Sequence, residues 1–195
     1  MPEQLEPMLQ AVATDPNRLY LAAGLALGVI VVAVLLRGPL TSWRENRQIA
    51  KVIRRLGTRR LRGLKLADGT GGEVTLDYLL LGRDRLVVVS LKRYGGLIFG
   101  GKNMDQWTQV INRVSYKFPN PDEYLRRQVN AVRALAPGVK VSGIHLFTHG
   151  ARFPKDKPAN VVTTRDLRQL PERPRHRDIP AGLQQAWQAL ADNLR

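Results

Sequence analysis

E-V-T-L-D-Y-L-L-L-G-R-D-R-L-V-V-V-S-L-K-R-Y-G-G-L-I-F-G-G, residues 73–101, holds the longest pair of adjoining apolar runs after residue 40. Two runs rich in Val and Leu meet across Gly82, Arg83 and Asp84, which predicts a hairpin at the centre of a sheet, its strands buried on much of both faces. Polar residues interrupt it: Asp77 in the first strand, Ser90 and Lys92 in the second. Side chains alternate along a strand, so Ser90 and Lys92 share one face, as Thr75 and Asp77 do on theirs. Two readings of the Asp77 and Lys92 pair stand side by side. A carboxylate can hold a magnesium ion while a neighbouring ammonium orients or deprotonates the water that attacks a phosphodiester. An isolated Asp and Lys near strand ends can equally form an ordinary salt bridge.

Working toward the N-terminus, residues 61–66 read as a strand, and D-G-T-G-G at 68–72 as a flexible turn into the hairpin. It is not a phosphate loop, because no lysine follows at the required place. Residues 43–56 read as a basic helix with Ile49, Val52, Ile53 and Leu56 as its apolar stripe and Gly57 as its stop. Gly38 and Pro39 separate this helix from residues 19–36, which carry no charge over 18 positions. As a helix that segment spans about 27 Å, close to the roughly 30 Å hydrocarbon core of a bilayer, and it predicts a transmembrane helix. The basic residues follow it, in Arg37, Arg44, Arg47, Lys51, Arg54 and Arg55, so the expected orientation leaves residues 1–18 outside and the chain from Arg37 onward in the cytoplasm. Gly24 and Gly28 form a G-x-x-x-G through which two such helices could associate.

Toward the C-terminus, residues 102–110 run K-N-M-D-Q-W-T-Q-V into a loop. Residues 121–136 predict a helix with Leu125, Val129, Val132 and Leu135 at helical spacing, Asn120 as cap and Pro121 at the first position. Strands are expected at 139–148 and 160–163, a basic proline-rich linker at 171–180, and a closing helix at 181–194 with Leu183, Trp187, Leu190 and Leu194 on one side. This order of helix, three strands, helix and strand predicts an α/β sandwich, a central sheet carrying helices on its faces. The chain has 31 Lys and Arg against 16 Asp and Glu, a net charge of +15, so nucleic acid or an anionic membrane surface is the expected class of partner. With no cysteine, disulfides, zinc–thiolate sites and cysteine nucleophiles are excluded. His145, His149 and His176 have no metal-binding spacing with carboxylates.

From about residue 45 to residue 170 the chain resembles the NERD, or nuclease-related, domain of the PD-(D/E)XK restriction-endonuclease-like superfamily. Glu45 stands at the first-helix glutamate, and Asp77, in L-D-Y, at the strand aspartate. Lys92-Arg93-Tyr94-Gly95-Gly96 matches the lysine and its glycine turn, followed by Trp107-Thr108-Gln109 and Asn120-Pro121. The resemblance implies a restriction-endonuclease-like mixed sheet flanked by helices over residues 43–170. It also implies magnesium-dependent cleavage of nucleic acid, with Asp77 and Glu45 as metal ligands and Lys92 beside the attacking water. Trp107, Gln109, Asn120 and Gln128 would face the substrate. Two departures bear on that chemistry. Ser90 replaces the metal-binding glutamate two residues before the lysine, and a serine hydroxyl is a poor magnesium ligand. Tyr124 takes a position where a glutamine is usual, with Gln128 one turn later. Glu73 cannot substitute, since four residues of strand put it roughly 13 Å from Asp77. The expected function is a membrane-anchored nuclease-related protein that binds or acts on nucleic acid at the cytoplasmic side, its hydrolysis impaired or absent at Ser90. The alternative is an inert anchored module for anionic lipid or protein partners.

Overall fold

The computed structural model describes residues 16–148 and 150–194, without the side chains of 16–24 and 30–40. Two units divide at residue 44. The first helix, α1 (Pro16–Leu56), runs for 41 residues. The break expected at Gly38 and Pro39 does not occur, since a proline inside a helix costs one hydrogen bond and bends the axis without necessarily ending it. Residues 19–36 are therefore helical, as expected, but among the described residues no helix is long and apolar enough to cross a membrane. The expected extracytoplasmic segment lies, up to residue 15, outside the described residues, as does His149.

The second unit, residues 45–195, is built on a five-stranded mixed sheet in the order β1-β2-β3-β7-β8. Strands β1 (Arg59–Ala67), β2 (Glu73–Leu81) and β3 (Leu86–Lys92) are antiparallel neighbours. The expected hairpin closes with Leu81 opposite Leu86 and the Gly82 N–H donating to the Arg85 carbonyl. After a crossover, β7 (Val141–Phe147) pairs parallel to β3, and β8 (Val161–Thr163) parallel to β7. Helix α2 (Asp122–Leu135) and the closing helix α3 (Ala181–Asn193) cover one face. There Leu125, Val129, Trp187 and Leu190 pack with Leu76, Leu79, Leu86 and Val88. The last turns of α1 cover the other face, with Ile49, Val52 and Ile53 against Leu80, Val87, Val89 and Leu146. A mixed α/β domain with a central sheet flanked by helices is thus the observed class.

Three features differ from the sequence reading. Residues 97–119 form a second, three-stranded antiparallel sheet of β4 (Leu97–Phe99), β5 (Gln106–Ile111) and β6 (Val114–Pro119), where a single motif and a loop were expected. Its tight turn places Asn112 and Arg113 at positive φ, a conformation that propensity does not favour for arginine. The segment 171–180 leads into a helix that belongs to the domain core, because Leu183, Trp187, Leu190 and Ala191 are all buried. Helix α2 starts at Asp122 with Pro121 as its cap residue, while the Asn120 side chain still accepts the Asp122 N–H at 2.9 Å.

Strand alternation also slips once, at the point that matters for the site. Leu76 packs under α2, so Tyr78 and Leu80 should follow it; instead Leu79 and Leu81 do, and Leu80 faces α1 with Tyr78 packed beside it. The same slip occurs in β1 between Leu61 and Leu64. Between them lies Gly63 at φ +66°, in the left-handed region that favours glycine, opposite Asp77. The ladder pairs Arg62 with Tyr78 and Leu64 with Leu76 but leaves Gly63 and Asp77 unpaired.

Candidate functional site

That slip turns the Asp77 side chain toward β3. Pairing of β2 with β3 ends at Tyr78 and Val89, and beyond it the Asp77 Oδ2 accepts the Leu91 N–H at 2.8 Å. A carboxylate here replaces a strand-to-strand hydrogen bond, which lets the two strands diverge where Ser90 and Lys92 sit. Ser90 is buried, at 2% exposure, directly beside His145 in the parallel register. Lys92 alternates with Ser90 and Val88 onto the α2 face, and its Nζ lies 5.9 Å from the centre of the Tyr124 ring, within reach of a cation–π contact. Burial pushes the Lys92 ammonium below its ordinary range, and the Asp77 charge opposes that shift. Asp77 and Lys92 are therefore electrostatic neighbours, as the sequence suggested.

Helix α2 supplies the wall of the site. The Tyr124 hydroxyl accepts the Thr75 N–H at 3.0 Å, and the Gln128 Nε2 donates to the Thr75 carbonyl at 2.6 Å. Asp122, in the first turn, shares its Oδ1 between His145 Nε2 at 2.9 Å and the Asn160 side-chain amide at 2.7 Å. His145 is fully buried. Burial pulls its pKa down to about 4, against the Asp122 hydrogen bond and charge that raise it and with the Lys92 charge lowering it further, so the ring is neutral near pH 7. Gln128 Oε1, His145 Nδ1 and Thr148 Oγ1 are buried without a hydrogen-bond partner among the described residues. Buried polar atoms without a partner are exceptional in a folded interior, and these three come from α2, β7 and the residue that follows β7.

The remaining expected site residues lie on α1, in the second sheet and in its connection to α2. Trp107 is fully buried, stacks on Phe147 at 6.1 Å and donates to the Gly101 carbonyl. A Cβ at Gly100 would lie 2.1 Å from its ring, so this glycine is required by close approach. Gln109 Nε2 donates to the Gly95 carbonyl at 2.8 Å, and Asn120 Nδ2 to the Met104 carbonyl at 2.8 Å. Glu45 sits half-buried on α1, one turn before Ile49. The α1 turns that carry Ile49, Val52 and Ile53 lie on the sheet face opposite the one occupied by Lys92 and α2. The structure therefore gathers Asp77, Ser90, Lys92 and Gln128 around one strand end and leaves Trp107, Gln109 and Asn120 in the second sheet and its connection to α2. The reading missed Asp122, whose only signal was an acid in the first turn after Asn120-Pro121, and the partnership of His145 with it.

The donor set does not fit a divalent cation. No group of three or more His, Asp or Glu among the described residues is arranged to hold one. At the strand end Asp77 already accepts a backbone N–H, Ser90 offers a neutral hydroxyl, and Lys92 adds a positive charge.

Residues 41–148 match the family described as "Nuclease-related domain". No curated protein matches the chain, and no solved structure does.

Proposed function

The chain belongs to the nuclease-related domain family, matched over residues 41–148, and from that premise we propose that it is a nucleic-acid-binding member that does not hydrolyse phosphodiesters by a metal-dependent route. One observation supports this reading: Ser90, which the family resemblance puts where the ligand glutamate would stand, is buried next to the Leu91 N–H that Asp77 accepts. Without that second carboxylate a cation gains neither its charge nor its oxygen. Binding itself needs no metal. The +15 net charge supports attraction to a polyanion, with affinity that falls steeply as salt rises.

The test uses the full chain in zwitterionic detergent, with labelled single- and double-stranded DNA and RNA in magnesium or manganese, beside Asp77→Ala and Ser90→Glu. The wild type is expected to bind and not to cleave, while Ser90→Glu is expected to cleave. Wild-type cleavage abolished by Asp77→Ala would show that Asp77 works without the glutamate, and the proposal would fail.

A membrane tether is the second part of the proposal. It rests on the 18 uncharged positions of residues 19–36 and on Leu25, Leu27 and Val29, which stand exposed on α1. Apolar side chains projecting in more than one direction from a helix suit lipid better than water. Flotation of the full chain with membranes in alkaline carbonate is the expected result, and release into the supernatant counts against a spanning helix. The basic residues after the segment support a cytoplasmic position for the domain, where protease added outside intact cells should spare it.

A further inference from the structure

A second cationic feature is assembled far from Asp77 in the sequence. The last turn of α1 and the start of β1 bring Arg55 and Arg59 to a cavity of about 590 Å³ whose other wall is Arg173, Pro174, Arg175 and His176. A smaller adjoining recess adds Arg54 and Arg60. Glu172 is the one acidic residue lining either. Among the described residues none of these six arginines makes an ion pair with a carboxylate. Arg59 is held in place by its Nη1 hydrogen bond to Gln188 of α3 at 3.3 Å, which leaves the rest of its guanidinium fork free. Arg54 and Arg55 alone would be an ordinary basic last turn complementing a helix dipole. Arg173 and Arg175 come from more than a hundred residues later, and the fold converges them on the same recess against their mutual repulsion. Such a concentration of unpaired guanidinium groups in a concave site raises the local potential and suits the planar, bidentate recognition of phosphate.

We propose that this cavity binds the phosphodiester backbone of nucleic acid, at a place separate from the Asp77 and Lys92 strand end. The proposal rests on the nucleic-acid reading above and gives it a site. The recess favours a strand over a bilayer because its arginines line a hollow, which successive phosphates of a flexible chain can enter and a flat headgroup surface cannot. Several phosphates engaged together also match the strong salt dependence expected of backbone contacts.

The experiment measures anisotropy of labelled DNA oligonucleotides with the full chain in zwitterionic detergent and EDTA, over a salt series. It compares wild type with Arg55→Ser/Arg173→Ser and the charge-preserving Arg55→Lys/Arg173→Lys, both checked for equal melting temperature. The double serine variant should lose at least about tenfold in affinity, and its log–log salt slope should fall by about 1.4 on single strands or 1.8 on duplex, two phosphate contacts in either case. The lysine pair should keep most of the slope. Unchanged affinity and slope in the serine pair, with wild type still binding, would overturn this site and leave the broader reading intact. No DNA binding by wild type would overturn both. A parallel arm uses phosphatidylcholine–phosphatidylserine vesicles: loss of vesicle binding in the serine pair with DNA binding retained would assign the cavity to lipid and also overturn the proposal.

Discussion

At the residue scale, His145 is the clearest case of position deciding chemistry. Its sequence context, V-S-G-I-H-L-F, shows only a histidine in a strand without metal-binding spacing to carboxylates. Buried against α2, its ring is held neutral, with a folded pKa of about 4 against an ordinary 6.5. Between those values the unfolded chain binds the proton and the folded one does not, so stability contributed by neutral His145 is complete above about pH 6.5 and is lost as the pH falls toward 4. The loss amounts to about 3 kcal/mol at most. Urea midpoints measured between pH 7 and pH 4.5 should fall more steeply for wild type than for His145→Gln, and identical slopes would contradict the assignment. Asp68 acts in a different window. Its carboxyl is held well below the usual range by Arg127 and by the Thr70 and Gly72 N–H groups, so its contribution disappears only at still lower pH.

At the element scale, the closing helix separates what a pattern says from where it docks. Leu183, Trp187 and Leu190 announced an amphipathic helix, and one formed; the proline-rich stretch before it suggested a detached one. Instead Trp187 is 3% exposed within the main core, beside residues of β1, β2 and α2. Trp187→Ala should therefore destabilise the whole domain by about 3–5 kcal/mol in a single cooperative transition. A melt in which the sheet unfolds at an unchanged denaturant midpoint would show the helix to be an independent appendage. The second sheet makes the converse point. Its strands are only three to six residues long, and their order emerges only through the aromatic cluster in which Trp107 meets Phe118, Phe147 and Phe153. The family-like Trp-Thr-Gln motif thus has a packing role sufficient to explain the tryptophan: it joins the three-stranded sheet to β7.

At the scale of the whole molecule, net charge is written in composition, and the arrangement of charge is not. The sum of +15 and the uncharged 18-residue run are countable in the chain. So were the two central strands, the 3.6-residue stripe of α2, and the ordered short motifs that pointed to the nuclease-related family. Each of these is a local pattern whose period matches a backbone geometry, and local geometry needs no partner to be legible. Other features depend on residues distant in sequence and emerge only in the folded chain: that Gly63 and Asp77 mark a face slip turning a carboxylate onto the Leu91 N–H, that the α1 turns following Glu45 cover the face away from Lys92, and that Asp122 meets His145. The convergence of Arg55 and Arg59 with Arg173 and Arg175 belongs to the same class. Periodicity assigns a residue to a face of its own element, but the neighbour across that face is chosen by packing of the complete core, where one-residue shifts of phase and the side taken by each helix are settled together.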